Sequence, residues 1–220
     1  MKLVKPSYEI LTPIDGLAEL KAIERAARTC YKSEGAISED GESAKKLIRR
    51  LIENGHEATL EHSFLSVKFT VDRGVTHELV RHRLCSFAQE STRYCNYSGE
   101  KFGHDVWFVI PYFFAERHAD DKPGQYILWV EACRYAEEMY FALLDKGATP
   151  QEARTVLPNS TAAEIVVSGN YREWRHILRL RTAKDAHPQM REVMCPLGEE
   201  LKRRIPVIFD DCVTAWREDV

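Results

Sequence analysis

Apolar residues recur at Leu17, Leu20, Ile23, Ala27 and Cys30 behind Asp15, a helical spacing with an aspartate placed to accept from the first free backbone N–H groups. The pattern predicts a first amphipathic helix capped by Asp15. Leu47, Ile48, Leu51 and Ile52 repeat it, and Gly55 stands where a helix end calls for left-handed backbone. From Leu65 to Asp72 the period drops to two, with Leu65, Val67, Phe69 and Val71 alternating with Ser66, Lys68, Thr70 and Asp72. This is the clearest strand signal in the chain, with one buried and one polar face. Such alternation favours an antiparallel or mixed sheet over a doubly wound parallel one. The expected class is α+β, with a central mixed or antiparallel sheet flanked by helices.

Beyond Gly74, Thr76 is expected to cap a short helix that delivers Arg81, His82 and Arg83 at its end, with a loop following to Tyr97. Apolar positions at Trp129, Cys133, Ala136, Met139, Tyr140, Leu143 and Leu144 predict the longest helix, from Gln125 to Lys146, stopped by Gly147. Thr149, Pro150 and Glu152 form a capping-box pattern that places Arg154 on the helix it starts. Thr161 to Ser168 reads as a second apolar strand. Asn170 is placed to cap a helix carrying Arg172, Arg175, Arg179 and Arg181, and Pro188 to open a last helix with Pro196 as its kink point. No repeat, low-complexity tract or linker divides the chain, so one domain over residues 1–220 is expected.

Composition narrows the field. A hydrophobic share of 44% and a charged share of 30% over 220 residues suit an ordinary buried core. The net charge of -3 argues against a surface built wholly for nucleic acid or an anionic membrane, so any phosphate site must be local. The 6 cysteines show no C-x-x-C pair, which signals neither a zinc module nor a disulfide framework and points to reduced thiols in the cytoplasm. No signal peptide and no run of transmembrane length is evident, and neither a membrane nor a nucleic-acid partner is expected.

Two segments concentrate cationic and polar groups: Arg81-His82-Arg83 through Ser91, Arg93 and Tyr94, and Asn170 through Arg181. In the second, four arginines face only Glu173, an imbalance that burial would make costly unless an anion neutralised it, and phosphate is the natural partner. His82 reads as a hydrogen-bonded structural histidine, because no second ligand stands near it at metal spacing, and no metal is expected. As a nucleophile Cys85 would need a depressed pKa, and Ser91 lacks a nucleophile elbow, so Ser91 reads as a binding residue. Neither a P-loop nor a G-x-G-x-x-G fingerprint is present, which disfavours two common nucleotide folds.

Arg81-His82-Arg83, seven residues, then Ser91-Thr92-Arg93-Tyr94 resembles the defining motif of flavin-dependent thymidylate synthases. The resemblance extends to His56-Glu57 through Glu61-His62, to Arg154-Thr155-Val156-Leu157-Pro158, and to Asn170-x-Arg172 with Leu180-Arg181. It implies an enzyme that methylates dUMP to dTMP, with FAD as hydride carrier, NADPH as reductant and methylenetetrahydrofolate as carbon donor. It also implies a homotetramer whose active sites form between subunits. By position, Glu61, Arg81, His82, Arg83, Gln89, Asn170, Arg172 and His176 match the flavin-contacting set. Glu78, Leu79, Val80, Arg81, Gln89, Glu90, Ser91, Thr92, Arg93, Arg154 from a neighbouring subunit and Arg181 match the dUMP set. Arg181 matches the arginine credited with activating the uracil ring. Ala58, Cys30, Glu78, Gln89 and His176 depart from commoner family residues. The enzyme-class alternative is a nucleotide-binding flavoprotein that oxidises NADPH without methyl transfer. A nucleic-acid module stacking bases on Tyr94, Tyr97 and Trp174 is disfavoured by the net charge.

Overall fold

The computed structural model describes residues 1–114 and 123–216. Six described strands run in the order β1 (Lys2–Val4), β2 (Ser7–Ile10), β3 (Phe64–Asp72), β4 (Ser86–Gln89), β5 (Trp107–Val109) and β6 (Ala162–Asn170). Seven described helices accompany them: α1 (Gly16–Thr29), α2 (Glu42–Glu53), α3 (Arg73–Leu79), α4 (Pro123–Asp145), α5 (Pro150–Ala153), α6 (Tyr171–Arg181) and α7 (Pro188–Arg204). Four strands form one sheet in the order β2-β3-β6-β4, and β1 pairs parallel with β5, Leu3 lying opposite Phe108. The combination is the α+β class that the patterning predicts.

Local chemistry explains most of these elements. Asp15 accepts from the backbone N–H groups of Leu17 and Ala18, each at 3.1 Å, and so starts α1. Gly55, with φ 71°, follows α2 in the left-handed conformation that its lack of a Cβ makes cheap. On β3, Leu65, Val67, Phe69 and Val71 are all fully buried, and each apolar side chain taken from water contributes roughly 1.5–3 kcal/mol before chain entropy is charged against it. Before α5, Glu152 reaches back to accept from the Thr149 backbone N–H at 2.8 Å and its hydroxyl at 2.7 Å.

Two expectations change. Asp72, not Thr76, caps α3: at the end of β3 its backbone is extended and its carboxylate accepts from the Val75 N–H at 2.9 Å. Thr76 lies inside the helix and donates its hydroxyl to the Arg73 carbonyl. The helix therefore ends at Leu79, and Arg81, His82 and Arg83 lie in the turn beyond it. The expected loop to Tyr97 also contains β4, whose Ser-Phe-Ala-Gln sequence carries no convincing alternation. Sheet neighbours supply its order: next to it, the Glu90 N–H donates to the Glu164 carbonyl at 2.8 Å.

The chain divides into two compact units interleaved in sequence. The first comprises Met1–Ser7, Phe69–Arg81 and Phe87–Val166; the second comprises Tyr8–Lys68, His82–Ser86 and Val167–Val220. β3 and β6 contribute residues to both. In the first unit Tyr97, Val106, Phe108, Cys133, Tyr140 and Ala153 form a buried cluster, with Glu137 accepting from the Val106 N–H at 2.8 Å. In the second, Leu20 and Ile23 of α1, Ala44 and Ile48 of α2, and Trp174, Ile177 and Leu178 of α6 are buried. The Trp174 indole donates to the Leu65 carbonyl at 2.9 Å, which fixes the rotation of α6.

Candidate functional site

In the second unit, Asn170 ends β6 and its side chain accepts from the Glu173 N–H at 2.9 Å, capping α6. With that start fixed, the arginines of α6 point to different surroundings. Arg175 is fully buried and donates to both carboxylate oxygens of Asp211, at 2.6 and 2.9 Å, to Glu57 at 3.1 Å, and to the Ile208 carbonyl. One turn on, the half-exposed Arg179 reaches the same acids, Glu57 at 3.3 Å and Asp211 at 3.0 Å. Burial pushes the Asp211 carboxyl up, but hydrogen bonds and charge from Arg175 and Arg179 outweigh it and hold the group below the usual carboxylate range. Arg172 pairs with Glu61 at 2.6 Å on the surface.

The expectation that these arginines converge on an anion is therefore corrected. Arg172, Arg175 and Arg179 are neutralised by Glu61, Glu57 and Asp211, carboxylates far away in sequence that no local pattern links to them. Of the eight residues matched to flavin, Glu61 and Arg172 are thus already each other's partners. Glu57 stands in the His56-Glu57 stretch of the resemblance without an assigned role, and Asp211 stands in no motif; only the folded chain reveals their pairing with Arg175 and Arg179.

Arg181, the last residue of α6, has a different environment. Its Nε–H donates to Nε2 of His82 at 3.0 Å, and Nδ1 of His82 lies 3.6 Å from a Glu173 carboxylate oxygen. An acceptor Nε2 requires a neutral ring whose proton sits on Nδ1, toward Glu173. Burial, followed by the positive charge of Arg181 and the neighbouring His176, pushes the His82 pKa down to about 4. Burial raises that of Glu173, with His176 opposing. His176 stands edge-on to His82, ring centroids 5.8 Å apart.

His82 thus has the structural, hydrogen-bonded character read from sequence. The sequence also showed no second ligand near it, and here the fold corrects that view: Glu173 and His176 bring ligand atoms within 4.8 Å of one another and of His82. A guanidinium already bonded to Nε2 makes this place hostile to a cation, so the cluster reads as a hydrogen-bonded one. Cys85 packs where a Cβ on Gly169 would fall 2.8 Å from its sulfur, and burial, with the nearby Glu173, pushes its thiol up to about 12, the opposite of an activated nucleophile. Arg83, next to His82 in the chain, is exposed, as is Arg81 in the first unit.

The first unit holds the rest of the residues that the resemblance matched to dUMP. Thr92 is buried, and its hydroxyl accepts from Arg154 at 3.1 Å, which aims the guanidinium by a neutral partner; among the described residues Arg154 makes no salt bridge. Arg154 itself lies at the C-terminal end of α5, where a 3₁₀ turn begins. The Gln89 amide donates to the Thr76 hydroxyl at 3.0 Å. Glu90 accepts from the Tyr97 hydroxyl at 2.9 Å and from the Glu164 N–H at 3.3 Å. Ser91 caps the next turn, its carbonyl accepting from Tyr94 and Cys95, while Arg93 extends over the exposed Tyr94 ring. Glu78, Leu79 and Val80 close α3. Leu79 is buried, so any contact it makes with a ligand is through its backbone.

Residues 14–207 match the family described as thymidylate synthase complementing protein. A protein of Corynebacterium aurimucosum named flavin-dependent thymidylate synthase is 35% identical over 209 residues, covering 90% of this chain and 82% of that one. Its namesake from Mycobacterium tuberculosis is 33% identical over 225 residues, covering 95% and 85%. Among solved structures, a UMP/dUMP methylase from Streptomyces cacaoi bound with 5-Br dUMP superposes with a TM-score of 0.78 at 26% identity, covering 96% of each chain.

Proposed function

Because this chain belongs to the flavin-dependent thymidylate synthase family, as the match over residues 14–207 and relatives above 30% identity show, we propose that it methylates dUMP to dTMP with FAD, NADPH and methylenetetrahydrofolate. The observation that carries the reading is the contrast along α6. Arg172, Arg175 and Arg179 pair with Glu61, Glu57 and Asp211, while Arg181, at the end of the same helix, donates its Nε–H to the neutral, buried imidazole of His82 in the family's Arg81-His82-Arg83 motif. A guanidinium held in this way is suited to stabilise negative charge developing on a uracil ring, which makes the ring carbon more nucleophilic.

The donors fit the flavin they are assigned. Within the second unit, exposed Arg83 offers a planar fork for a pyrophosphate, and His176 and the Arg172–Glu61 pair offer polar edges to the rest; Arg81 of the first unit is an exposed fork of the same kind. When bound, the flavin supplies hydride chemistry that the side chains lack. His82, neutral at working pH, takes no proton in this scheme. Its role is to hold Arg181 in one orientation, with Glu173 fixing the tautomer. In the first unit, Thr92 holds Arg154, which would serve the phosphate of a neighbouring subunit's dUMP, while Gln89, Glu90, Ser91 and Arg93 would line this chain's own nucleotide site. The family match runs through both interleaved units, which supports treating residues 1–220 as one functional domain. We further propose a cytoplasmic homotetramer with shared active sites. No described helix is long and apolar enough to cross a membrane.

The test is dTMP formation followed by mass spectrometry, with dUMP, methylenetetrahydrofolate, FAD and NADPH omitted in turn and oxygen excluded. Product that requires all four is expected. NADPH oxidation without dTMP would replace methyl transfer by the simple oxidase reading.

A further inference from the structure

A second cationic feature lies within the second unit, between α1 and α2, and has no place in the reaction as proposed. A groove of about 570 Å³ is lined by Arg28, Ala36, Ser43, Lys46, Leu47, Arg49, Arg50 and Glu53. Its volume falls in the range of small-molecule sites. Four cations and a single carboxylate line it, in a chain whose net charge is -3. The excess is therefore local and not a reflection of overall composition.

The groove has a fixed wall and an uncompensated one. Arg28 is held by the fully buried Glu24, its Nε and Nη2 donating at 2.8 and 2.7 Å, while its Nη1 reaches the Ser33 carbonyl at 3.4 Å. The other Glu24 oxygen accepts from the Ser43 hydroxyl at 2.9 Å, and Ser43 is tied in turn to Ser38. The groove is also lined by Lys46, Arg49 and Arg50 of α2, none of which makes a salt bridge among the described residues. At i, i+3 and i+4 on one helix they repel each other, and such like-charge neighbours are destabilising unless something negative sits among them. Neighbouring Lys45, by contrast, is paired with Glu42 at 2.6 Å.

We propose that this groove binds a small, multiply charged oxyanion. Guanidinium forks from Arg49 and Arg50, an ammonium from Lys46 and the preset edge of Arg28 suit phosphate or carboxylate groups, and Leu47 supplies an apolar floor. Two sources of that chemistry follow from the proposed reaction and rest on that reading: the phosphates of the nicotinamide dinucleotide, and the carboxylates of a folate that carries several glutamates.

The experiment titrates the flavin-loaded protein calorimetrically with adenosine 2′,5′-bisphosphate and, separately, with penta-γ-glutamate, at low salt and at about 150 mM salt. Binding of at least one probe is expected, weakened about tenfold or more in the Arg49→Ala/Arg50→Ala double variant and unchanged in Arg134→Ala, whose cation is already paired on α4. Preference for the first probe assigns the groove to a phosphate ligand, and preference for the second to a polycarboxylate. Failure of both probes to bind, or equal binding by the double variant, overturns the proposal. Failure of dTMP formation with probe binding intact would instead count against the reaction and leave the groove standing.

Discussion

Helices α6 and α2 carry similar cationic ladders, and the fold treats them in opposite ways. On α6, Arg172, Arg175 and Arg179 meet Glu61, Glu57 and Asp211. On α2, Lys46, Arg49 and Arg50 meet no carboxylate among the described residues. Arginine density along a helix therefore does not identify a ligand site. What separates structural cations from candidate binding cations is whether remote acids arrive to neutralise them, and that is a property of tertiary structure. Arg181 and Arg154 each donate to a neutral group, the His82 imidazole and the Thr92 hydroxyl, and these contacts orient them.

The strongest way to break this comparison is at its most buried member. Arg175→Met removes the buried cation between Glu57 and Asp211, leaving those acids only the half-exposed Arg179, and should cost about 3 kcal/mol in urea unfolding. A loss under about 1 kcal/mol would mean that the acid pair relaxes into solvent and is not structural. Arg181→Ala should keep its flavin while dTMP formation falls about hundredfold or more, the scale of losing a charge-stabilising donor. Unimpaired turnover in that variant would reject ring activation by Arg181.

The orienting partners sharpen the contrast. Arg154→Ala should weaken dUMP binding about tenfold at equilibrium, as expected when one charge-assisted phosphate contact is lost. An unchanged dissociation constant would remove Arg154 from the nucleotide set. His82 ties stability to pH, with a folded pKa of about 4 against an ordinary 6.5. Between those values the unfolded chain binds the proton more readily, so the stability held by neutral His82 is complete above pH 6.5 and is lost as pH falls toward 4. Glu173, raised by burial, works in the opposite direction. Melting temperature should accordingly drop less steeply from pH 6.5 to 4 in His82→Gln than in the parent chain; parallel curves would contradict the assignment.

The smallest effects belong to the exposed ladder members. Arg179→Ala should cost under about 1 kcal/mol, because a half-exposed pair gains little over hydrated ions. Lys46→Ala should leave stability unchanged or raise it by a few tenths of a kcal/mol as repulsion with Arg49 and Arg50 is relieved. If Lys46→Ala proved as damaging as Arg175→Met, the distinction between the two helices would collapse.

The sequence by itself determined what local periodicity and capping control: α1 behind Asp15, α6 behind Asn170, the buried face of β3, and the family to which the Arg81-His82-Arg83 motif belongs. These depend on neighbours within a turn or two, whose hydrogen bonds and apolar spacing are written in order along the chain. Tertiary structure decided the strand at Ser86–Gln89, the capping of α3 by Asp72, and above all which arginines are spent on acids. Asp211 lies 36 positions beyond Arg175, and Glu173 lies 91 positions beyond His82. Charge pairing across such distances depends on which surfaces burial brings together, and hydrophobic packing fixes that only when the whole chain has folded.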